Sequence, residues 1–195
     1  MSAALRVLTG AALDGALDDV ARLRIAVFRD WPYLYDGDLA YERDYLDRFR
    51  SSAGAVVVGA FEGTRLVGAA TGAPLADHAE DFAEAFDDSG LNIGNILYCA
   101  ESVLLPEWRG QGLGHGFFDH REAHARRLGL SRTAFCSVLR PADHPLRPSD
   151  YLPLDGFWRK RGYAPLPGVI ARFRWRDVDQ PQETEKSLQF WSRQL

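Results

Sequence analysis

The stretch LLPEWRGQGLGHGFFDH, Leu104–His120, decides how this chain is read. It leaves an apolar run and passes through Gly110, Gly112, Gly114 and Gly116 at every second position. It then takes on the spacing of a helix. Glycine tolerates positive φ and carries no side chain, so such a turn lets several N–H groups converge on one anion. The helix that follows adds unpaired amides and the positive end of its dipole, which suits a phosphate or diphosphate. Arg109 adds a fixed positive charge. Two common phosphate loops are excluded by pattern. The Walker loop needs Lys and then Ser or Thr after its last glycine, where this chain has His115 and Gly116. The dinucleotide fingerprint needs glycines at relative positions one, three and six, which the run from Gly110 does not supply.

The flanks give the loop its setting. Upstream, Ile96–Leu105 is apolar with Glu101 as its only charge, and reads as a buried strand. Downstream, a helix is expected from about His115 to Leu128, then Gly129 and a further strand in SRTAFCSVL. A strand, loop, helix, strand unit of this length allows parallel strands with a right-handed crossover. Earlier, Leu13, Ala16, Leu17, Val20, Leu23, Val27 and Phe28 fall at helical spacing, and a second helical pattern runs through Leu39, Leu46 and Phe49. Ala55–Phe61 and Leu66–Thr71 read as a hairpin turning at Glu62-Gly63-Thr64. The acidic segment before Gly90 reads as a helix packed lightly on the surface through Phe82 and Phe86. A proline-rich irregular stretch, a short helix in LDGFWRKRG and two strands, VIARFRW and SLQFW, close the chain.

At 195 residues and 46% hydrophobic content the chain can bury a full core, and 1–195 is expected to form one domain. Its 23 Lys and Arg against 27 Asp and Glu, net charge −4, lack the basic footprint of a nucleic-acid binder. The N-terminal stretch has no basic region followed by a long apolar core, and no segment approaches the roughly 20 apolar residues of a membrane span, so a cytoplasmic protein is expected. Cys99 and Cys136 lie in apolar runs and are expected to be buried, reduced and inert.

The hexapeptide RGQGLG, Arg109–Gly114, with Pro106 upstream and FWRKRGY downstream, resembles the signature of the GNAT superfamily, the acyl-CoA-dependent N-acyltransferases. The order of elements resembles that family over nearly the whole chain. The resemblance implies an α/β (α+β) fold: a central mixed, mostly antiparallel sheet with a parallel splayed strand pair and helices on both faces. It implies acetyl-CoA as co-substrate and a primary amine, small molecule or peptide amino terminus, as acceptor in a ternary complex. Cofactor contacts then fall on Leu104, Leu105, Arg109, Gly110, Gln111, Gly112, Leu113, Gly114 and Trp158, with pantetheine between the strands of Glu101 and Cys136. The oxyanion donor is expected to be a backbone N–H near Leu104.

The chemistry needs a neutral amine, a stabilised oxyanion and a proton for the departing thiolate. Glu101 leads for the base, as one carboxylate among apolar neighbours; the alternative is an ion pair with Arg140 or Arg159. The family's usual acidic tyrosine falls at Trp158, whose indole cannot serve. Tyr151 is the first substitute, with Tyr98 or solvent also open. His144 is the one histidine considered as an alternative base. Trp31, Tyr33, Tyr35 and Asp36 are candidates for the acceptor site, aromatic faces and a carboxylate suiting a cationic amine; an aromatic plug over the sheet edge is the competing reading. HREAH, His120–His124, has its glutamate misplaced for a helical zinc site and no third ligand in view, so no metal is expected. The terminal strand pair offers an edge for a homodimer. A non-catalytic acyl-CoA-binding sensor is the alternative function, kept open by Trp158.

Overall fold

The structure is a computed structural model and describes residues 3–195. A largely apolar run with one charge becomes the centre of a sheet: the nine residues Ile96–Leu104 form β4. Around it stand β1 (Ala4–Leu8), β2 (Val56–Glu62), β3 (Arg65–Pro74), β5 (Arg132–Val138), β6 (Ala164–Arg176) and β7 (Glu183–Gln194). The helices are α1 (Ala11–Phe28), α2 (Leu39–Ser51), α3 (Ala79–Phe86), α4 (Leu113–Arg127) and α5 (Asp155–Lys160). The seven strands are ordered β1-β2-β3-β4-β5-β7-β6. Every pairing is antiparallel except β4 with β5. This is the expected mixed sheet with helices on both faces. α1 and α2 bury Val20, Leu23, Leu46 and Phe49 against Ala69, Ala73 and Val103. α4 and α5 cover the opposite face through Phe117, Phe118, Phe157 and Trp158.

Two departures from regular pairing place the site. The parallel pair holds only from Ile96↔Arg132 to Tyr98↔Ala134 and then splays, leaving β4 with an open edge beyond Tyr98. On its other side, β4 pairs Thr71 with Glu101 but Ala73 with Tyr98, so β4 carries one extra residue there. A bulge of one residue reverses which face the following side chains occupy. Before it Tyr98 faces the α3 side; after it Val103 joins the α1–α2 cluster. Glu101, two residues before Val103, therefore faces α1 rather than α4. Arg121 of α4 sits at this irregularity: its Nη1 donates to Glu101 O at 2.7 Å and Thr71 O at 3.2 Å, and its Nη2 to Ser102 Oγ at 2.8 Å.

One expectation needs correction. α3 is not lightly packed: Phe82 and Phe86 are each 3% exposed, Phe82 packs tilted on Tyr98, and the two meet Phe173 and Phe190 edge to face. β1 is not legible in the sequence, because five residues at a sheet edge with one buried side chain carry almost no periodic signal.

Candidate active site

The glycine turn is built from its ends inward. Pro106–Trp108 makes a single 3-10 turn anchored by the buried Trp108 indole, with Trp108 N donating to Leu105 O at 2.9 Å and Arg109 N to Pro106 O at 3.1 Å. Gly110 and Gly112 then take φ of 75° and 83°, the left-handed region where a Cβ is strained, although a Cβ at either would meet nothing within 4 Å. The amides of His115 and Gly116 close onto Gly112 O at 3.0 and 3.3 Å. Among the described residues, no main-chain carbonyl takes the amides of residues 110–114, and no side chain caps α4. Unpaired amides of this kind at a helix start are the groups an anion would need. Gly116 is bare for another reason: a Cβ there would stand 2.2 Å from Leu5 Cδ1, where α4 crosses β1. Arg109 holds the turn as well as lending charge, its Nε donating to Leu104 O at 3.2 Å.

The nest opens into a cavity of about 1490 Å³ that runs through the β4–β5 splay to the loop between α1 and α2. That exceeds the ~300–1,000 Å³ typical of a single small ligand and leaves room for two substrates. Gly110, Gly112, Ala100, Glu101, Cys136 and Trp158 line it. Trp158 packs against Phe135 and Trp191, with centroids 4.9 and 5.1 Å apart. Leu105 N donates to Val67 O, so by antiparallel alternation the amides of residues 103 and 105 face β3. Those of Ser102 and Leu104 face the open edge.

Glu101 is both in the cavity wall and in an ion pair. Its partner is Arg24 of α1, which also pairs with Glu42 of α2, while Tyr45 Oη donates to Glu101 Oε2 at 3.4 Å. The side chains of Arg24, Glu42 and Glu101 are 9%, 0% and 2% exposed, so two carboxylates share one buried guanidinium. Burial alone would lower the Arg24 pKa, but Glu101, Tyr45 and Glu42 hold it well above its ordinary value. Glu101 Oε1 is buried with no hydrogen-bond partner. The suggested partners, Arg140 and Arg159, are elsewhere. Arg140 binds Asp177 at 2.7 Å and the carbonyls of Pro32 and Tyr33 at 2.8 and 2.6 Å, and Arg159 lies over the Trp191 ring. Arg24 was legible in part, since it falls between Val20 and Val27 on the apolar stripe of α1, where a charge needs a partner.

The remaining candidates divide. Trp31, Tyr33 and Tyr151 line the cavity, Tyr151 standing edge-on to Trp31 at 5.9 Å. Burial raises the Tyr151 phenol, and Asp155 adds to it. Tyr35 and Asp36 do not line the cavity: burial and the Glu42 carboxylate raise the Tyr35 phenol on the far side of the loop, and Asp36 is neutralised by Arg29 at 2.8 Å and by Arg176. His144 is outside it too. Its ring backs onto Trp31 at 5.1 Å, its Nδ1 accepts from Leu146 N at 3.2 Å, and it lines a separate surface pocket beside Asp177. Cys99 and Cys136 are buried free thiols. Burial pushes the Cys136 thiol up to about 12, and Tyr98 Oη lies 3.6 Å from its sulfur. Among the described residues no group of three or more His, Cys, Asp or Glu could hold a metal ion, and no helix is long and apolar enough to cross a membrane.

A splayed parallel pair, a glycine nest at a helix start and a carboxylate on the central strand define an acyl-CoA-dependent transferase site. Residues 20–147 match the model of the acetyltransferase (GNAT) family. The match spans more than half of the chain, which therefore belongs to that family. Among solved structures, the chain resembles a ribosomal-protein-alanine N-acetyltransferase from Brucella melitensis, at 13% identity and TM-score 0.62 over 98% of this chain and 99% of that one. It resembles a polyamine N-acetyltransferase from Drosophila melanogaster at 14% identity and TM-score 0.61, over 98% and 100%. It also resembles the PaiA N-acetyltransferase from Thermoplasma acidophilum in complex with coenzyme A, at 13% identity and TM-score 0.55, over all of both chains. No curated protein sequence matches the chain significantly.

Proposed function

We propose that residues 1–195 form one cytoplasmic acetyltransferase domain that moves an acetyl group from acetyl-CoA to a primary amine, in a complex holding both substrates. One observation carries this reading: a single cavity is lined by Gly110, Gly112 and Gly114 of the glycine turn, by the β4–β5 splay and by Glu101. The nest fits a diphosphate and the splay fits a thin chain laid along β4. The coenzyme bound in the Thermoplasma structure agrees with that fit. Acetyl-CoA supplies the activated acetyl group, and the chain's own residues do the rest. Leu104 N–H and Ser102 N–H, facing the open edge, are placed to hold the acetyl oxygen as charge develops on it. Glu101, which lines the cavity with Oε2 held by Arg24 and Tyr45, accepts the amine proton directly or through one water. The Brucella and Drosophila enzymes are named for different acceptors, a ribosomal protein alanine and a polyamine, so the acceptor is set by loops and not by the fold.

Incubation with acetyl-CoA and a panel of amines, following free thiol, tests the reading. Thiol release that depends on the amine supports it. Tight acetyl-CoA binding with no release on any amine favours the sensor reading. Glu101→Gln should lower turnover by about 100-fold or more with acetyl-CoA affinity nearly unchanged.

A further inference from the structure

The helix that begins at the glycine turn carries a bare cation into the core. Arg121 of α4 is 1% exposed and lines the cavity. The other buried guanidiniums of the site each hold a carboxylate: Arg24 pairs with Glu42 and Glu101, and Arg140 with Asp177. Arg121 has none among the described residues, and its guanidinium bonds only neutral oxygens. Nη1 donates to Glu101 O at 2.7 Å and to Thr71 O at 3.2 Å, and Nη2 donates to Ser102 Oγ at 2.8 Å. Nε is buried with no hydrogen-bond partner, and the Phe118 ring lies 4.8 Å from Cζ. An unpaired buried charge is costly to a fold, so its position deserves a chemical reason. That position is the irregularity between β3 and β4, with Thr71 on one strand and Glu101 on the other. Glu101 O and Ser102 N–H belong to one trans peptide and point to opposite sides of the strand. The guanidinium therefore holds the β3 side of a peptide whose N–H faces the open edge in the splay.

We propose that Arg121 is a positioning residue for acetyl transfer: its cation, bonded to Glu101 O, polarises the Glu101–Ser102 peptide and so strengthens Ser102 N–H as the donor to the acetyl oxygen. The inference rests on the acetyl-transfer reading above. Hydrogen bonds in a chain reinforce one another by roughly 10–30% each, and a charged donor at one end is the stronger kind. As the amine nitrogen bonds to the acetyl carbon, the carbonyl electron pair moves onto oxygen. Ser102 N–H meets that charge directly, and the Arg121 charge stands behind it in a medium that screens poorly. When the carbon–sulfur bond breaks, the pair returns to the carbonyl and the sulfur leaves with the bonding electrons. Arg121 stays protonated throughout and touches neither substrate. Its three bonds also fix the tilt of the peptide before substrate arrives, so no reorganisation is needed as charge develops.

Arg121→Met keeps an apolar stem and removes the cation; Arg121→Lys keeps a charge that cannot reach all three oxygens at once. With acetyl-CoA and a responsive amine, kcat of the Met variant should fall by about tenfold or more while acetyl-CoA affinity, measured by calorimetry, stays within about threefold. The discriminating readout is the infrared band of the thioester carbonyl in bound acetyl-CoA, isolated by carbon-13 labelling of that carbon and recorded without an amine. In wild type the band should lie below its frequency in water. It should return toward the free value in Arg121→Met and fall between the two in Arg121→Lys. A packing role alone would lower the melting temperature and leave the band where wild type has it. An identical band in wild type and Arg121→Met, or a kcat within about threefold in both variants, overturns the proposal. Should the Met variant not fold, the Lys variant decides: an intermediate band supports the proposal, and a wild-type band with wild-type kcat overturns it. If wild type binds acetyl-CoA but releases no thiol on any amine, the transferase reading fails, and the band comparison still decides the polarisation. Failure of wild type to bind acetyl-CoA overturns both.

Discussion

Replacing Arg24 by Met strips the cation from between Glu42 and Glu101, side chains 0% and 2% exposed. A buried ion pair broken on one side typically costs about 3–5 kcal/mol, because the remaining charge is left in a medium that solvates it poorly. Here two carboxylates are left, and among the described residues only Tyr45 otherwise bonds the Glu101 carboxylate, so the upper end of that range is expected. For a chain of this size about 1 kcal/mol moves the melting temperature by about 2–4 °C, so a drop of about 10–20 °C is expected at neutral pH. The informative comparison is the double variant Arg24→Met with Glu42→Met. It removes one of the two stranded carboxylates and fills the space with an apolar chain of similar length, so it should be more stable than Arg24→Met alone by about 2 kcal/mol or more. Urea melts of wild type, both single variants and the double variant, monitored by far-UV circular dichroism, supply the cycle. If Arg24→Met costs under about 1 kcal/mol, or if the double variant is less stable than Arg24→Met, the triad is not the coupled unit described here.

Asp177 is held below the ordinary carboxylate range: burial alone would raise it, but hydrogen bonds and charge from Arg140, with Lys186 adding at 3.3 Å, outweigh that. Its contribution is complete above the unfolded value of about 3.9 and is lost as pH falls below it, so the stability deficit of Asp177→Asn should be constant from pH 5 to 7 and shrink below about pH 4 in thermal melts. Gly112→Ala places a Cβ on a residue at φ 83°, which should cost about 1–2 kcal/mol in urea unfolding and weaken acetyl-CoA by about tenfold or more in calorimetry, since the strained turn and the nest are one structure. Phe82→Ala, on a helix that is core rather than surface, should cost about 3–5 kcal/mol in the same unfolding assay.

What could be read from residues alone was whatever rests on local pattern. The Leu104–His120 stretch announces its turn because positive φ at Gly110 and Gly112 and an uncapped helix start are properties of adjacent residues. Glu101 is visible for the same reason, a lone charge in an apolar strand. A charge in need of a partner is visible at Arg24 too, but their pairing is not, because Arg24 comes from another element and is brought to Glu101 by the β4 bulge that turns the carboxylate toward α1. The acceptor loop shows the limit most plainly. Trp31, Tyr33, Tyr35 and Asp36 are one cluster in sequence, yet the fastening of Tyr33 to Arg140 and of Asp36 to Arg176 sends the first two into the cavity and the last two away from it. His144 likewise lies near the mouth in sequence but stacks on the outside of Trp31.

The diphosphate grip is tested most directly by titrating acetyl-CoA and S-acetylpantetheine into the folded protein in a calorimeter. The two share the thioester and the pantetheine arm, and only the first carries the diphosphate. If the amides of residues 110–114 are the anchor, acetyl-CoA should bind at micromolar concentration and S-acetylpantetheine about 100-fold or more weakly. Equal affinity for the two, or no heat from acetyl-CoA at millimolar concentration, would contradict it.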